Sequence, residues 1–321
     1  MRFGIIGTNF ISDWFAISAK RVKGAEIWAV YSRKLDTGRA FADKHGIETV
    51  YTDLEQMLRD DSIDAVYVAS PTFLHKDHSI AALKHGKAVL CEKMIAATLS
   101  EFEEMLTAKT QHGGILIEAM RPDFDPALAV VRANLPAIGT IRRASFEYCQ
   151  YSSRYDAFLE GDVKNAFDPK MKNSALADIG IYPLHVCISL FGSPVSVHSH
   201  SVFLPNGFEG CGSILLGYED KVATVTYSKI SASVNPSVIE GELGSITVDK
   251  LSAPSRIVLA LRGKEPVELP FESREHNMEY EIEEFIRIAE GKTDTDRLLN
   301  VSHATMKVVD RVYACSGIKF D

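Results

Sequence analysis

The sequence predicts an α/β domain with a parallel sheet over residues 1–121, followed by an α+β domain over 122–321 whose sheet is open and largely antiparallel. Three observations predict this. In the first third, short apolar runs alternate with amphipathic segments that close on glycine, the pattern of a parallel sheet covered by helices on both faces. From about residue 122 the alternation stops and β-rich runs dominate. The chain also opens on "GIIGTNFIS", Gly4 to Ser12, where a strand turns at Gly7 into a helix whose N-terminal N–H groups suit a phosphate.

Taken in order, residues 2–7 form a first strand and Ile11 to about Val22 a first helix. "EIWAVYS" (Glu26–Ser32) is a second strand, and "DTGRAFADKHG" a helix stopped by Gly46 in a left-handed turn. "AVYVAS" (Ala65–Ser70) is a buried strand, "HKDHSIAALKHG" a helix ending at Gly86, and "KAVLCEK" (Lys87–Lys93) a further strand. Helix "LSEFEEMLTAKTQHG" and strand "ILIEA" (Ile115–Ala119) complete the first domain. In the second, "TIRRASFEYCQY", "SVHSHSVFL", "GCGSILLGY", "KVATVTYSK", "SVIEGELGSITVD" and "RIVLALRG" read as strands. Two late segments have helical spacing, "NMEYEIEEFIRIAEG" and "VSHATMKVVDRVYACSG", and the second is expected to pack back on the first domain. The polar, irregular stretch "SRYDAFLEGDVKNAFDPKMKNSALADIG" reads as a loop over the active site.

Apolar residues make up 46% and charged residues 24%, a globular profile, and the formal net charge of −8 argues against a nucleic-acid partner. No apolar run approaches the roughly 18 residues of a membrane span, and no secretory leader is evident, so a cytoplasmic location is expected. The five cysteines are scattered, which suits free thiols and gives no metal site. Cys91 reads as a small buried residue, and His198 and His200 as part of a polar sheet face.

The opening loop departs from the G-x-G-x-x-G fingerprint, since Asn9 and Ser12 stand where the second and third glycines would. Asn9 is the mildest replacement for a glycine at positive φ, although its side chain would crowd a close approach to pyrophosphate. Gly7, Thr8, Asn9, Phe10 and Ile11 are the candidate phosphate residues; the alternative is a plain strand–turn–helix in which Asn9 and Ser12 serve the turn and the cap. After the second strand, where NAD enzymes place a carboxylate, the chain has Ser32 and Arg33, followed by Lys34. A hydroxyl and a guanidinium suit a 2′-phosphate, so NADP is favoured, with NAD left open and a solvated basic turn as the other reading.

Two stretches carry more. "VASPTFLHKDHSIAALKHGKAVLCEKMIAAT" (Val68–Thr98) and "ALADIGIYPLHVCISLFG" (Ala175–Gly192) resemble the Gfo/Idh/MocA family of oxidoreductases. The matching positions are Ser70, Pro71, Thr72 and His75 after the third Rossmann strand, then Ala82, Leu83, Gly86, Lys87, Glu92 and Lys93, and later the Asp-x-Gly-x-Tyr element. The resemblance covers essentially the whole chain and is nearest to the tyrosine-type members, such as dihydrodiol dehydrogenase and glucose–fructose oxidoreductase. It departs at Met94, where the family's Glu-Lys-Pro has proline, and this implies a somewhat different loop after Lys93.

The resemblance implies a Rossmann domain and hydride transfer between a nicotinamide and a carbon bearing a hydroxyl or carbonyl, in a sugar, polyol or related small molecule. It assigns Ser70, Pro71, Thr72, His75, Glu92 and Lys93 to the cofactor, and Lys93, Asp178 and Tyr182 to catalysis. Such a reaction needs an acid/base at the oxygen and a cation against its developing charge, roles that fall to Tyr182 and Lys93. Asp178 would orient a substrate hydroxyl or, alternatively, cap a helix. If "DIGIYPLHVC" begins a helix, Asp178, Tyr182 and His185 share one face. His185 either binds substrate hydroxyls or packs with its ring satisfied, and Arg121 either lines the cleft or is a surface arginine at the domain junction. A homo-oligomer, dimer or tetramer, is expected through the open sheet. Two other functions remain open: a non-catalytic dinucleotide-binding regulator and a redox-assisted glycosidase.

Overall fold

The structure, a computed structural model, describes residues 1–293 and 295–320. Its first elements are β1 (Arg2–Ile6), α1 (Phe10–Ala19), β2 (Glu26–Tyr31), α2 (Leu35–His45), β3 (Thr49–Tyr51) and α3 (Leu54–Leu58). Next come β4 (Ala65–Val68), α4 (His75–Lys84), β5 (Ala88–Glu92), α5 (Leu99–His112), β6 (Leu116–Ala119) and α6 (Pro126–Asn134). Then follow β7 (Ile141–Cys149), α7 (Tyr155–Leu159), α8 (Ile181–Phe191), β8 (Ser196–Phe203), β9 (Glu209–Gly217) and β10 (Val222–Ser228). The chain closes with β11 (Ser237–Gly241), β12 (Gly244–Val248), β13 (Ile257–Leu261), β14 (Val267–Glu268), α9 (Met278–Ala289) and α10 (Asp296–Ser316).

The chain divides into two units, 1–121 with 274–300, and 122–273 with 301–321. The first holds a six-stranded sheet in the order β3-β2-β1-β4-β5-β6, parallel throughout. The chain runs outward from β1 through β2 and β3, then returns to the other side of β1 as β4, which makes the carboxyl end of β1 a topological switch point. Strands β4 and β6 are buried at every position, as a sheet covered on both faces requires. Helices α2 and α5 end on left-handed Gly46 and Gly113. The short pair β3 and α3 lies outside the elements read from the sequence: three residues show no period, and Asp53 caps a helix of only five.

Helix α9 returns to the first unit. Its apolar side (Ile282, Phe285, Ile288) is buried, and the Phe285 ring lies 5.9 Å from that of Phe3, which in turn meets Phe15. The final helix, α10, is divided between the units: its start up to Asn300 belongs with the first and Val301 onward with the second.

The second unit carries an eight-stranded sheet ordered β14-β13-β12-β11-β7-β10-β9-β8, in which β7 and β10 pair in parallel and every other pair is antiparallel. On β10, Ala223, Val225 and Tyr227 point inward and Val222, Thr224 and Thr226 outward, the alternation of a sheet with one covered face. Helix α8 covers that face against β7 and β10 and buries nearly its whole length. Among the described residues no helix is long and apolar enough to cross a membrane.

Candidate active site

In the first unit, the turn between β1 and α1 depends on one glycine. Gly7 has φ +113°, and a Cβ there would lie 2.6 Å from the backbone oxygen of Ala69, just after β4. Only glycine lets the two chain segments approach this closely. Asn9 takes the capping role of its two readings. Its φ is −86°, so it needs no glycine-like freedom; its Oδ1 accepts from the Ile11 and Ser12 N–H groups at 3.1 and 3.2 Å, and its Nδ2 donates to Ala69 O at 2.8 Å. The side chain thus caps α1 and ties it to the end of β4 instead of crowding the loop. Ser12 is fully buried, its hydroxyl on the same Oδ1.

Ser32 and Arg33 follow β2. The Ser32 hydroxyl donates to Lys34 O at 3.0 Å and shapes the turn, while Arg33 is exposed. Such a loop, a glycine cradle at a helix N-terminus with a guanidinium after the second strand, fits a phosphorylated dinucleotide.

His75 explains the motif around it. It is buried, with Nε2 2.8 Å from Ser70 O and Nδ1 2.9 Å from Met94 O, so it clamps the turn Ser70–Pro71–Thr72 to the loop after β5. Burial holds its pKa below the ordinary histidine range, against the pull of those carbonyls. Lys93 follows β5, and its peptide to Met94 is cis although no proline is present, so the departure at Met94 leaves the loop with a cis bond. Ile95 N–H donates to the buried Glu118 at 3.0 Å, which anchors that loop to β6.

Glu92 turns inward. It accepts from the Tyr67 hydroxyl and from Lys93 N–H, and burial raises its pKa. Beside it Glu281, on α9, is fully buried with no hydrogen-bond partner for either oxygen among the described residues; burial and the Glu92 charge push its pKa well up. Arg121 is the counter-charge to both carboxyls and donates to Asn277 at the start of α9 at 3.4 Å. It is part-buried and engaged with these groups, unlike a free surface arginine. Cys91 is buried as expected, and burial pushes its thiol pKa up.

In the second unit, the Asp-x-Gly-x-Tyr element is not a simple helix start. Leu176–Gly180 form a π-helical turn that runs into α8. Its entry is pinned by buried Glu209 on β9, which accepts from Leu176 N–H at 2.9 Å. Gly180 has a steric reason: a Cβ there would meet the Tyr227 ring on β10 at 2.6 Å. Asp178 is not an N-cap. It pairs with Lys229 at 2.8 Å, a lysine whose side chain is 4% exposed against 37% for Asp178. Lys229 also donates to Ala166 O at 2.7 Å and lies over the Phe167 and Phe208 rings at 4.7 and 5.1 Å. Tyr182 is largely buried, its ring 6.0 Å from that of Tyr148.

The three residues expected on one face are therefore in different settings. His185 is fully buried and its Nε2 lies 2.7 Å from Asp123, itself 2% exposed. Thr305 stands 3.5 Å from the other ring nitrogen. Sequence reasoning missed Lys229, Asp123, Glu209 and Glu281, since each lies far along the chain from its partner. The stretch expected as a loop contains α7 and the single turns Asn165–Phe167 and Pro169–Met171, held by stacked Tyr155, Phe158 and Phe167.

Comparison with known proteins matches residues 1–120 to the GFO/IDH/MocA oxidoreductase family with an NAD-binding Rossmann fold, and residues 134–247 to the GFO/IDH/MocA C-terminal domain. The chain belongs to that family. It is 39% identical over 322 residues to the scyllo-inositol 2-dehydrogenase (NADP(+)) IolU of Bacillus subtilis, covering 100% of this chain and 98% of that protein. The trans-1,2-dihydrobenzene-1,2-diol dehydrogenase of mouse is 28% identical over 272 residues, 83% of this chain and 79% of that one. Among solved structures, KijD10, a 3-ketoreductase from Actinomadura kijaniata in complex with NADP and TDP-benzene, superposes with a TM-score of 0.87 at 20% identity, 98% of each chain covered. This last likeness is one of fold.

Proposed function

We propose that this chain is an NADP-dependent dehydrogenase or reductase acting on a hydroxyl- or carbonyl-bearing carbon of a sugar, polyol or related compound. The observation that carries the reading is the whole-length likeness to an NADP-dependent scyllo-inositol dehydrogenase. The retained Lys93, Asp178 and Tyr182 and the Ser32-Arg33 turn support it.

Gly7, Thr8, Asn9, Phe10 and Ile11 would carry the pyrophosphate, Ser32 and Arg33 the 2′-phosphate, and Ser70, Pro71, Thr72 and His75 the adjoining wall. The bound nicotinamide supplies the hydride acceptor or donor. The Tyr182 hydroxyl gives a proton to, or takes one from, the reacting oxygen. Lys93, as a cation, stabilises negative charge developing on that oxygen. Asp178, held by Lys229, accepts from a neighbouring substrate hydroxyl. His185, closed in against Asp123, is better read as fixing α8 than as touching substrate. The outward face of the second sheet, with exposed Val202, Leu215 and Val222, is the surface we assign to self-association.

The test begins with fluorescence titration of NADPH and NADH, followed by a panel of cyclitols and aldoses. NADPH is expected to bind more tightly than NADH. Lys93→Met and Tyr182→Phe are expected to keep NADPH binding and to lose about 100-fold or more in turnover. Wild-type rates in either variant remove that residue from its role.

A further inference from the structure

One side chain at the dinucleotide end of the first unit has no part in the reading above. His78 lies on α4, three residues after His75. Its Nδ1 is 3.0 Å from Ser70 Oγ, and its ring meets that of Tyr31 edge-on at 6.3 Å between centroids. Tyr31 ends β2 and Ser70 follows β4, while β1 runs between those two strands. His78 therefore spans the carboxyl end of β1 at the switch point. The backbone below it is continuous with the phosphate loop: Gly7 N–H donates to Tyr31 O at 3.2 Å, and Asn9 Nδ2 donates to Ala69 O. Arg33, two residues past Tyr31, acts electrostatically on the His78 ring.

We propose that His78 is a specificity residue for the 2′-phosphate of NADPH, donating from Nε2 to a phosphate oxygen beside Arg33 while Ser70 Oγ donates to Nδ1. The proposal rests on the NADP reading above and extends it to a residue on a different element. Burial, His75 and Arg33 lower the imidazole pKa to about 4, with Asp77 opposing, so the ring is neutral near pH 7. With Nδ1 accepting from Ser70, the neutral ring carries its proton on Nε2, the tautomer that donates to a phosphate oxygen.

The experiment is titration of NADPH and NADH by nicotinamide fluorescence at pH 8, in the wild type, His78→Phe and His78→Gln. The phenylalanine keeps a ring against Tyr31 and removes both nitrogens; it is expected to weaken NADPH about tenfold and leave NADH unchanged. The glutamine keeps a neutral donor; it is expected to retain part of the preference. Equal losses for both cofactors, no loss in His78→Phe, or a preference in His78→Gln no greater than in His78→Phe each overturn the role. A wild-type protein that does not prefer NADPH overturns the NADP reading as well. A preference lost in Arg33→Ala but intact in His78→Phe leaves that reading standing and removes only His78.

Discussion

The phosphate loop of the first unit and the Asp178 turn of the second both hold polar groups in a fixed place, and they do so by opposite means. In the loop, the working parts are neighbours except for one distant segment, Ala69 after β4. Gly7 supplies the backbone shape, and Asn9 satisfies the first N–H groups of α1 within three residues of itself. In the turn, every fixed point comes from elsewhere: Glu209 on β9 holds the entry, Tyr227 on β10 packs on Gly180, and Lys229 beyond β10 pairs with Asp178. The loop leans on a single distant segment. The turn is assembled from distant parts and depends on each of them.

The largest effect should come from breaking the local side. Gly7→Ala places a side chain at φ +113° against a backbone oxygen, and it is expected to cost about 3 kcal/mol and to abolish dinucleotide binding. Asn9→Ala should cost only about 1 kcal/mol, the usual loss of a cap, with dinucleotide binding retained. Thermal melts and NADPH titrations compare the two directly. Equal damage from both would mean that the loop depends on its side chains as much as on its glycine.

Breaking the distant side should separate stability from chemistry. Lys229→Met removes the partner of Asp178, the bond to Ala166 and the cation over two rings. It is expected to cost about 1–3 kcal/mol, to lower turnover about 100-fold and to leave the NADPH Kd unchanged. Lys229→Arg should recover part of the turnover. A variant with wild-type kcat and KM would show that Asp178 does not need the lysine.

The smallest effect concerns the buried carboxyls of the first unit. Glu281 has its pKa raised by burial, so the native state holds a proton that the unfolded chain releases above the ordinary carboxylate range. Its contribution is complete at low pH and is lost as pH rises from the unfolded pKa toward the native one. Glu281→Gln mimics the protonated acid and should raise Tm by roughly 2–4 °C at pH 8, with the gain vanishing near pH 4. A gain that does not change with pH would mean Glu281 is not the titrating group.

How much of this was legible in the sequence follows the same division. The strand-helix alternation, Gly46 and Gly113 could be read from letters because their consequences fall within a few residues; Gly7 and His75 could be read only as parts of known motifs, since their contacts reach Ala69 and Met94. Asn9 had two readings, a replaced glycine or a cap, since letters alone do not give φ; the observed −86° and its hydrogen bonds make it a cap. His78 stood in plain view in "HKDH", yet nothing along the chain announced that Tyr31 and Ser70 would flank it.

The sequence by itself determined the parallel sheet, the open second sheet, the family and the residue types available for chemistry, because periodicity and short motifs are local properties. Only the tertiary structure decided that His185 is closed in on Asp123, that Asp178 is paired with Lys229, that Glu92 and Glu281 share a buried site with Arg121, and that α9 belongs with the first unit. The physical reason is that burial and charge pairing are properties of neighbours in space. Those neighbours stand from 29 to 189 positions apart, from Glu92–Arg121 to Glu92–Glu281.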